Sequence, residues 1–322
     1  MKPAGLLIAS TLLLAFAAGG TAAQSYPVKP VRVVVPFPPG GGVDTIARAF
    51  TQKFTEAWGQ QVIVDNRPGG GGNIAANAVA KAAPDGYTLL VVSTALAIAP
   101  SLYRRLAFDP VKDLLPISQI LATSHVLAAH PGMPATLKEL VALAKSRPGK
   151  LNYANTGVGT GTHLLGEMLR FAADIDIVMV PYKGDAQAVP AMLAGEVEMG
   201  FSPPTNVIQL VRAGKLRALA MSGTSRSIAF PDVPTTAEAG FPDVQYVGWV
   251  SFFAPAGTPR DVVNRISSET ARTLRMPDII EQLPRLGGEA ANSTSEEFAA
   301  KYRADVARYA RIIEKANIPP MD

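Results

Sequence analysis

The sequence predicts an α/β protein of two lobes joined by two crossing strands, and three observations carry that prediction. A strand, a glycine-rich turn and a helix follow one another twice, starting at residue 31 and again at residue 151. Strand-like and helix-like segments alternate on both sides of residue 125, the rhythm of parallel sheets covered by helices. Two long apolar runs, 117–130 and 248–255, are each suited to carry the chain between lobes. They divide it into a discontinuous first lobe, 24–124 with 250–322, and a second lobe, 125–249.

Residues 1–23 read as an export signal, with Lys2 ahead of an apolar run at 6–18, small residues after it and cleavage expected near Ala23. The run is shorter than the roughly 20 apolar residues that span a bilayer. The 322 residues contain no cysteine, which excludes a disulfide framework, thiolate chemistry and a lipid anchor. The expected compartment is the periplasm of a Gram-negative cell. A net charge of +4 with no stripe of Lys or Arg excludes nucleic acid as the partner.

Element by element, Val31 to Val35 is the first strand, and Ile46, Phe50, Phe54 and Trp58 fall on one face of the helix that Gly59 ends. Residues 62–64 form the next strand, Asn73 caps a short alanine-rich helix, and the turn at Pro84, Asp85 and Gly86 leads into a strand at 88–93. Thr136 and Glu139 make a capping box for a helix ending at Ser146. Strands at 151–154, 177–180, 199–201 and 216–221 then alternate with helices at 162–172, 185–194 and 205–213. Residues 222–243 are an irregular connection, 248–255 the returning strand, and Pro259 opens a helix. Phe298, Tyr302, Val306, Tyr309 and Ile313 form a stripe that packs the last helix on the first lobe.

The two repeated turns are the candidate site. Phe37, Pro39, Gly40, Gly41, Gly42 and Asp44 form the first, and Asn155, Gly157, Gly159, Thr160, Gly161, Thr162 and His163 the second. A glycine-rich turn at a helix start leaves backbone N–H groups bare at the positive end of the helix dipole, and two facing turns would clamp an anion. Neither turn contains Lys or Arg. Asp44 is read as a helix cap that steadies its loop, with direct ligand contact as the alternative. His163 stays open between carboxylate contact and a capping or packing role. The turn at residues 66–73 is read as a structural rim, while Tyr182, Lys183 and Gly184 precede a helix positioned to meet the far end of a ligand.

These motifs resemble the tripartite tricarboxylate transporter solute receptors, also called the Bug family, over nearly the whole chain. The resemblance rests on the order and spacing of segments 29–48, 65–90, 152–165, 180–193, 213–220, 231–240 and 249–259. It implies a type II periplasmic binding protein, a flytrap of two α/β lobes closing on an organic acid. Backbone N–H groups and water, one loop from each lobe, would hold the ligand carboxylate. Implied partners are a small mono- or dicarboxylate and membrane transporter subunits, with the receptor itself a monomer.

Two departures from the family pattern bear on ligand choice. Ser202 stands where members often carry Asp, removing a charge that could serve an ammonium group. After Thr94, which is counted with the site, Ala95 and Ala99 replace more polar residues, so a dicarboxylate with a hydrocarbon spacer or an aromatic acid is expected.

No cofactor, metal site or catalysis is expected. His125, His130 and His163 are scattered, and neither a phosphate-binding GxxxxGK[ST] loop nor a nucleophile elbow is present. A sensor that docks on a membrane kinase remains the alternative function. A ligand-binding core of a transcription regulator is disfavoured by the export signal and the lack of a DNA-binding helix pair.

Overall fold

The computed structural model describes residues 26–285, 288–315 and 318–321, so the expected export signal lies outside the described residues. The chain begins with β1 (Val31–Val35), α1 (Gly42–Trp58), β2 (Val62–Asn66), α2 (Asn73–Ala80), β3 (Thr88–Ser93), α3 (Ala95–Leu102) and β4 (Leu114–Thr123). β1 pairs in parallel with both β2 and β3, the βαβαβ arrangement that the alternation predicts. Ile46, Phe50 and Phe54 bury one face of α1, and Gly59 ends the helix in the left-handed conformation with its N–H on the Thr55 carbonyl.

Asn73 does not cap α2 as expected. It is the first helical residue, and the three glycines Gly70–Gly72 form a 3₁₀ turn that leads into the helix and moves its start.

The second half of the alternation comprises β5 (Val126–Ala129), α4 (Leu137–Ser146), β6 (Asn152–Asn155), α5 (Gly161–Ala172), β7 (Val178–Pro181), α6 (Asp185–Ala194), β8 (Met199–Ser202), α7 (Pro204–Arg212) and β9 (Arg217–Met221). The capping box at Thr136 and Glu139 forms as read, with both reciprocal hydrogen bonds present. These strands make a five-stranded sheet in the order β7-β6-β8-β5-β9.

After residues 222–247, which carry no helix or named strand, β10 (Gly248–Pro255) returns the chain to the first sheet. It inserts antiparallel between β3 and β4, and all eight of its residues are buried. Helices α8 (Arg260–Thr273) and α9 (Pro277–Arg285), the short strand β11 (Glu289–Ala290) and helix α10 (Ser295–Lys315) complete the chain. The first sheet then reads β11-β4-β10-β3-β1-β2. Two connections therefore run between the sheets, one from β4 to β5 and one from β9 to β10.

The last helix is anchored on the returning strand. Phe298 lies edge-on to Trp249 at 5.2 Å and to Phe253 at 5.4 Å between ring centres, and Tyr302, Tyr309 and Ile313 are buried beside it. Burying each such side chain contributes about 1.5–3 kcal/mol. The stripe also hides a charge that periodicity did not reveal: Asp305 accepts the Trp249 indole N–H at 3.0 Å and pairs with Lys301 at 2.9 Å.

Candidate functional site

The carboxyl ends of the parallel strands β1 and β3 in the first sheet and β6, β7 and β8 in the second open on one cleft of about 650 Å³. Open α/β folds leave their loops, and therefore their binding groups, at this end. On the first wall, β1 runs into a turn at residues 36–41 and then α1. Phe37, Pro39, Gly40, Gly41 and Gly42 line the cleft. The N–H groups of Gly42 and Val43 belong to the first turn of α1 and have no intrahelical carbonyl to bind.

Asp44 sits behind this turn, buried, and does not cap the helix from in front. Its Oδ2 accepts the Gly40 N–H at 2.8 Å and Arg48 Nε at 2.9 Å, while Oδ1 accepts Asn66 Nδ2 at 2.8 Å. Burial alone would raise the pKa of this carboxyl. The bonds from Arg48, Asn66 and Gly40 outweigh burial and hold it below the usual carboxylate value. Asp44 is thus a charged brace for the loop, fully occupied by the protein's own donors.

On the opposite wall, β6 runs into residues 156–160 and then α5. Hydroxyl groups knot this turn from inside. Thr162 Oγ1 accepts the Thr156 N–H at 2.9 Å and lies 2.9 Å from Thr160 Oγ1, which is also 2.6 Å from the Gly157 carbonyl. The Thr160 hydroxyl caps α5 at the His163 N–H, and His163 Nδ1 accepts the Gly159 N–H at 3.3 Å. His163 is buried, which lowers its pKa, with Glu167 partly opposing the shift. With Nδ1 committed as an acceptor, the imidazole is neutral and serves the loop.

Thr160, Gly161 and Thr162 line the cleft, whereas Asn155, Gly157, Gly159 and His163 stand behind them. Gly161 has no freedom to be anything larger, because a Cβ there would run into the phenol ring of Tyr246. As in α1, the Gly161 and Thr162 N–H groups open a helix and lack intrahelical acceptors.

The far side of the second wall holds Gly184, which precedes α6 and lines the cleft, and Tyr182, which does not. Ser202 ends β8 behind the wall. Its hydroxyl donates a 2.6 Å hydrogen bond to Asp185 Oδ1, and Asp185 lines the cleft. The carboxyl that the sequence lacks at residue 202 is therefore supplied from residue 185. Burial raises the Asp185 pKa, opposed in part by hydrogen bonds from Ser202 and Asn206.

The floor is built where the chain passes between the sheets. Ser222 is buried and binds both passages: it exchanges hydrogen bonds with the backbone of His125 at 2.8–2.9 Å and with that of Tyr246 at 2.8–2.9 Å. Thr94 lines the cleft, but its hydroxyl accepts the Trp249 N–H at 2.7 Å, so it is committed to holding β10. His125 faces the Tyr246 ring edge-on at 5.4 Å, and burial lowers its pKa to about 4. It is a neutral, amphipathic part of the floor.

His125, Asp185, Asn206, Tyr246 and Trp249 are cleft residues that sequence reasoning missed as site residues. Only Asp185 had a local signal, its place directly after the Gly184 turn; the others depend on chain crossings that spacing does not reveal. Among the described residues that line the cleft there is no arginine, and Lys183 is the single lysine.

Known proteins are similar to this chain over nearly its whole length. Residues 46–318 match the model of the tripartite tricarboxylate transporter family receptor. The UPF0065 protein in the tcbD-tcbE intergenic region of Pseudomonas sp. is 37% identical over 311 residues, covering 94% of this chain and 91% of its own. Protein BugT of Bordetella pertussis is 34% identical over 301 residues, 92% of each. A protein of R. palustris solved with adipate superposes with a TM-score of 0.86 at 30% identity, covering 92% of this chain and all of its own. MatC from Rhodopseudomonas palustris with bound malate superposes with a TM-score of 0.83 at 32% identity, covering 89% and 100%. The fold is the two-lobed type II arrangement of periplasmic binding proteins.

Proposed function

The chain belongs to the tripartite tricarboxylate transporter receptor family, and from that premise we propose that it is a periplasmic receptor that captures a small organic carboxylate between two glycine-rich loops. It acts as a monomer and delivers its solute to the membrane subunits of a tripartite transporter. It binds without chemistry.

One observation carries the reading: α1 and α5, from opposite walls, both open on the same cleft with unpaired first-turn N–H groups and no arginine lining it. Oriented backbone donors and two helix dipoles favour an anion without a neutralising side chain. A backbone donor to a charged oxygen contributes about 1.5–3 kcal/mol. A carboxylate that reaches both loops gains the second set of bonds only when the walls approach, so it favours the closed form. The adipate and malate carried by the R. palustris relatives support an organic acid as the class.

The test is a melting and calorimetry screen over adipate, malate, succinate, aspartate and benzoate. At least one acid should raise the melting temperature, by an amount equivalent to about 2.7 kcal/mol at a hundred times its Kd. Stabilisation by the corresponding amides but by none of the acids would contradict an anion site. Loss of uptake of the identified acid in a deletion strain tests the transport partner; intact uptake with a lost transcriptional response would point to sensing.

A further inference from the structure

The cleft carries a second polar feature that the anion-clamping loops do not use. Asp185 opens α6 on the second wall, and no cation pairs with it among the described residues. Its carboxyl is held by the Ser202 hydroxyl at 2.6 Å, by the Asn206 side chain and by its own N–H. A carboxylate offers about four acceptor directions. The Ser202 hydroxyl fills one of them with the Asn206 amide close by, and the residue borders the ligand space.

We propose that Asp185 is a specificity-determining residue that accepts a hydrogen bond from a donor group, hydroxyl or ammonium, on the end of the ligand remote from the clamped carboxylate. The inference rests on the carboxylate reading above and adds the other half of the ligand to it. A solute with an acid at one end and a donor at the other meets dipoles at the first and a carboxylate at the second. A plain dicarboxylate brings no donor to Asp185 and sets a second acceptor against its carboxyl oxygens, which costs affinity. Its elevated pKa is what a half-buried carboxyl without a counter-charge should show, and a ligand donor supplies the missing partner.

Lys183 provides the competing reading. It is exposed on the same turn, lines the same cleft, and could grip a second ligand carboxylate. The two readings predict opposite ligand rankings.

Two matched series separate them by calorimetry: butyrate, 4-hydroxybutyrate, 4-aminobutyrate and succinate, then hexanoate, 6-hydroxyhexanoate, 6-aminohexanoate and adipate. Within at least one series the wild type should bind the hydroxy or amino member about tenfold or more tighter than the unsubstituted acid and the diacid. Asp185→Asn should erase most of that preference while leaving the unsubstituted acid within about threefold, and its melting temperature serves as the folding control. Loss confined to the amino member identifies an ammonium donor, and loss shared with the hydroxy member identifies donors of either kind. A preference for the diacid that disappears in Lys183→Met, or a ranking unchanged in Asp185→Asn, overturns the proposal and leaves the carboxylate clamp standing. Failure of the wild type to bind any member of either series overturns this inference, while the clamp stands or falls with the wider acid screen.

Discussion

Asn66 reaches from the end of β2 to Asp44 in the first turn of α1, placing Nδ2 2.8 Å from the carboxylate and 3.0 Å from the Phe37 carbonyl. One amide thus pins both the brace and the loop it braces. Asp44→Ala strands donors from Asn66, Arg48 and Gly40, and should destabilise the fold by about 1–3 kcal/mol. Affinity for a carboxylate should fall roughly tenfold, the equivalent of about 1.4 kcal/mol. Urea melts and calorimetry read the two effects. Wild-type affinity in a folded Asp44→Ala protein would mean that the first loop keeps its shape unaided.

The same carboxyl has a pH signature. Because its folded pKa lies below the unfolded value of 3.8, Asp44 stabilises the fold above that value and loses its contribution as pH falls through the folded pKa. The stability gap between wild type and Asp44→Asn should be widest near neutrality and close in acid. A gap that persists unchanged at the acid end would show that Asn disrupts packing rather than charge.

His125 acts higher in the acid range. It titrates near 6.5 when unfolded and near 4 when folded, so the unfolded chain takes up a proton between those values that the folded chain refuses. Its contribution is present above pH 6.5 and fades as pH falls towards 4. Between pH 7 and pH 5 the loss is about 2 kcal/mol. His125→Phe, which keeps an aromatic ring against Tyr246, should flatten that part of the stability profile. An unchanged slope would assign the acid sensitivity to other groups.

Gly161→Ala tests the close packing of the second loop. The added Cβ meets Tyr246, whose ring is buried in the floor. Overpacking of this kind costs about 1–3 kcal/mol, measured by chemical denaturation. Full stability would mean that the Tyr246 ring can swing aside.

Phe298→Ala removes the ring that α10 sets against Trp249 and Phe253. The expected loss is about 3–5 kcal/mol, as for other buried Phe truncations. A loss below about 1 kcal/mol would mean that the last helix contributes little to holding β10.

How much of this was legible in the sequence varies with the range of the interaction. The strands β1, β3 and β10 stood out as apolar runs with glycine or proline at one end or both, and the Thr136 capping box is a local device, so both were readable. The pairing of β10 between β3 and β4 joins residues more than a hundred positions apart, and only the count of crossings hinted at it. The short helix α9 and strand β11 were missed because both are short: α9 is nine residues with Pro284 inside it, and β11 is two. In the site, the glycines were legible because turns demand them. Asp44 was readable as important but not in its role, since Asn66, its partner, is 22 residues away. The Ser202–Asp185 bond was hidden for the same reason: it joins β8 to the start of α6. Reading position 202 alone therefore suggested a missing carboxyl that the fold supplies from a neighbour.

The central claim is that backbone amides of two opposed helix starts hold the ligand acid. A crystal structure with the tightest acid from the screen tests it most directly. The account predicts one carboxylate within hydrogen-bonding distance, directly or through one water, of N–H groups from residues 40–44 and 156–163 together. A carboxylate held by the ammonium of Lys183 or by any arginine, or bound away from either loop, would contradict it.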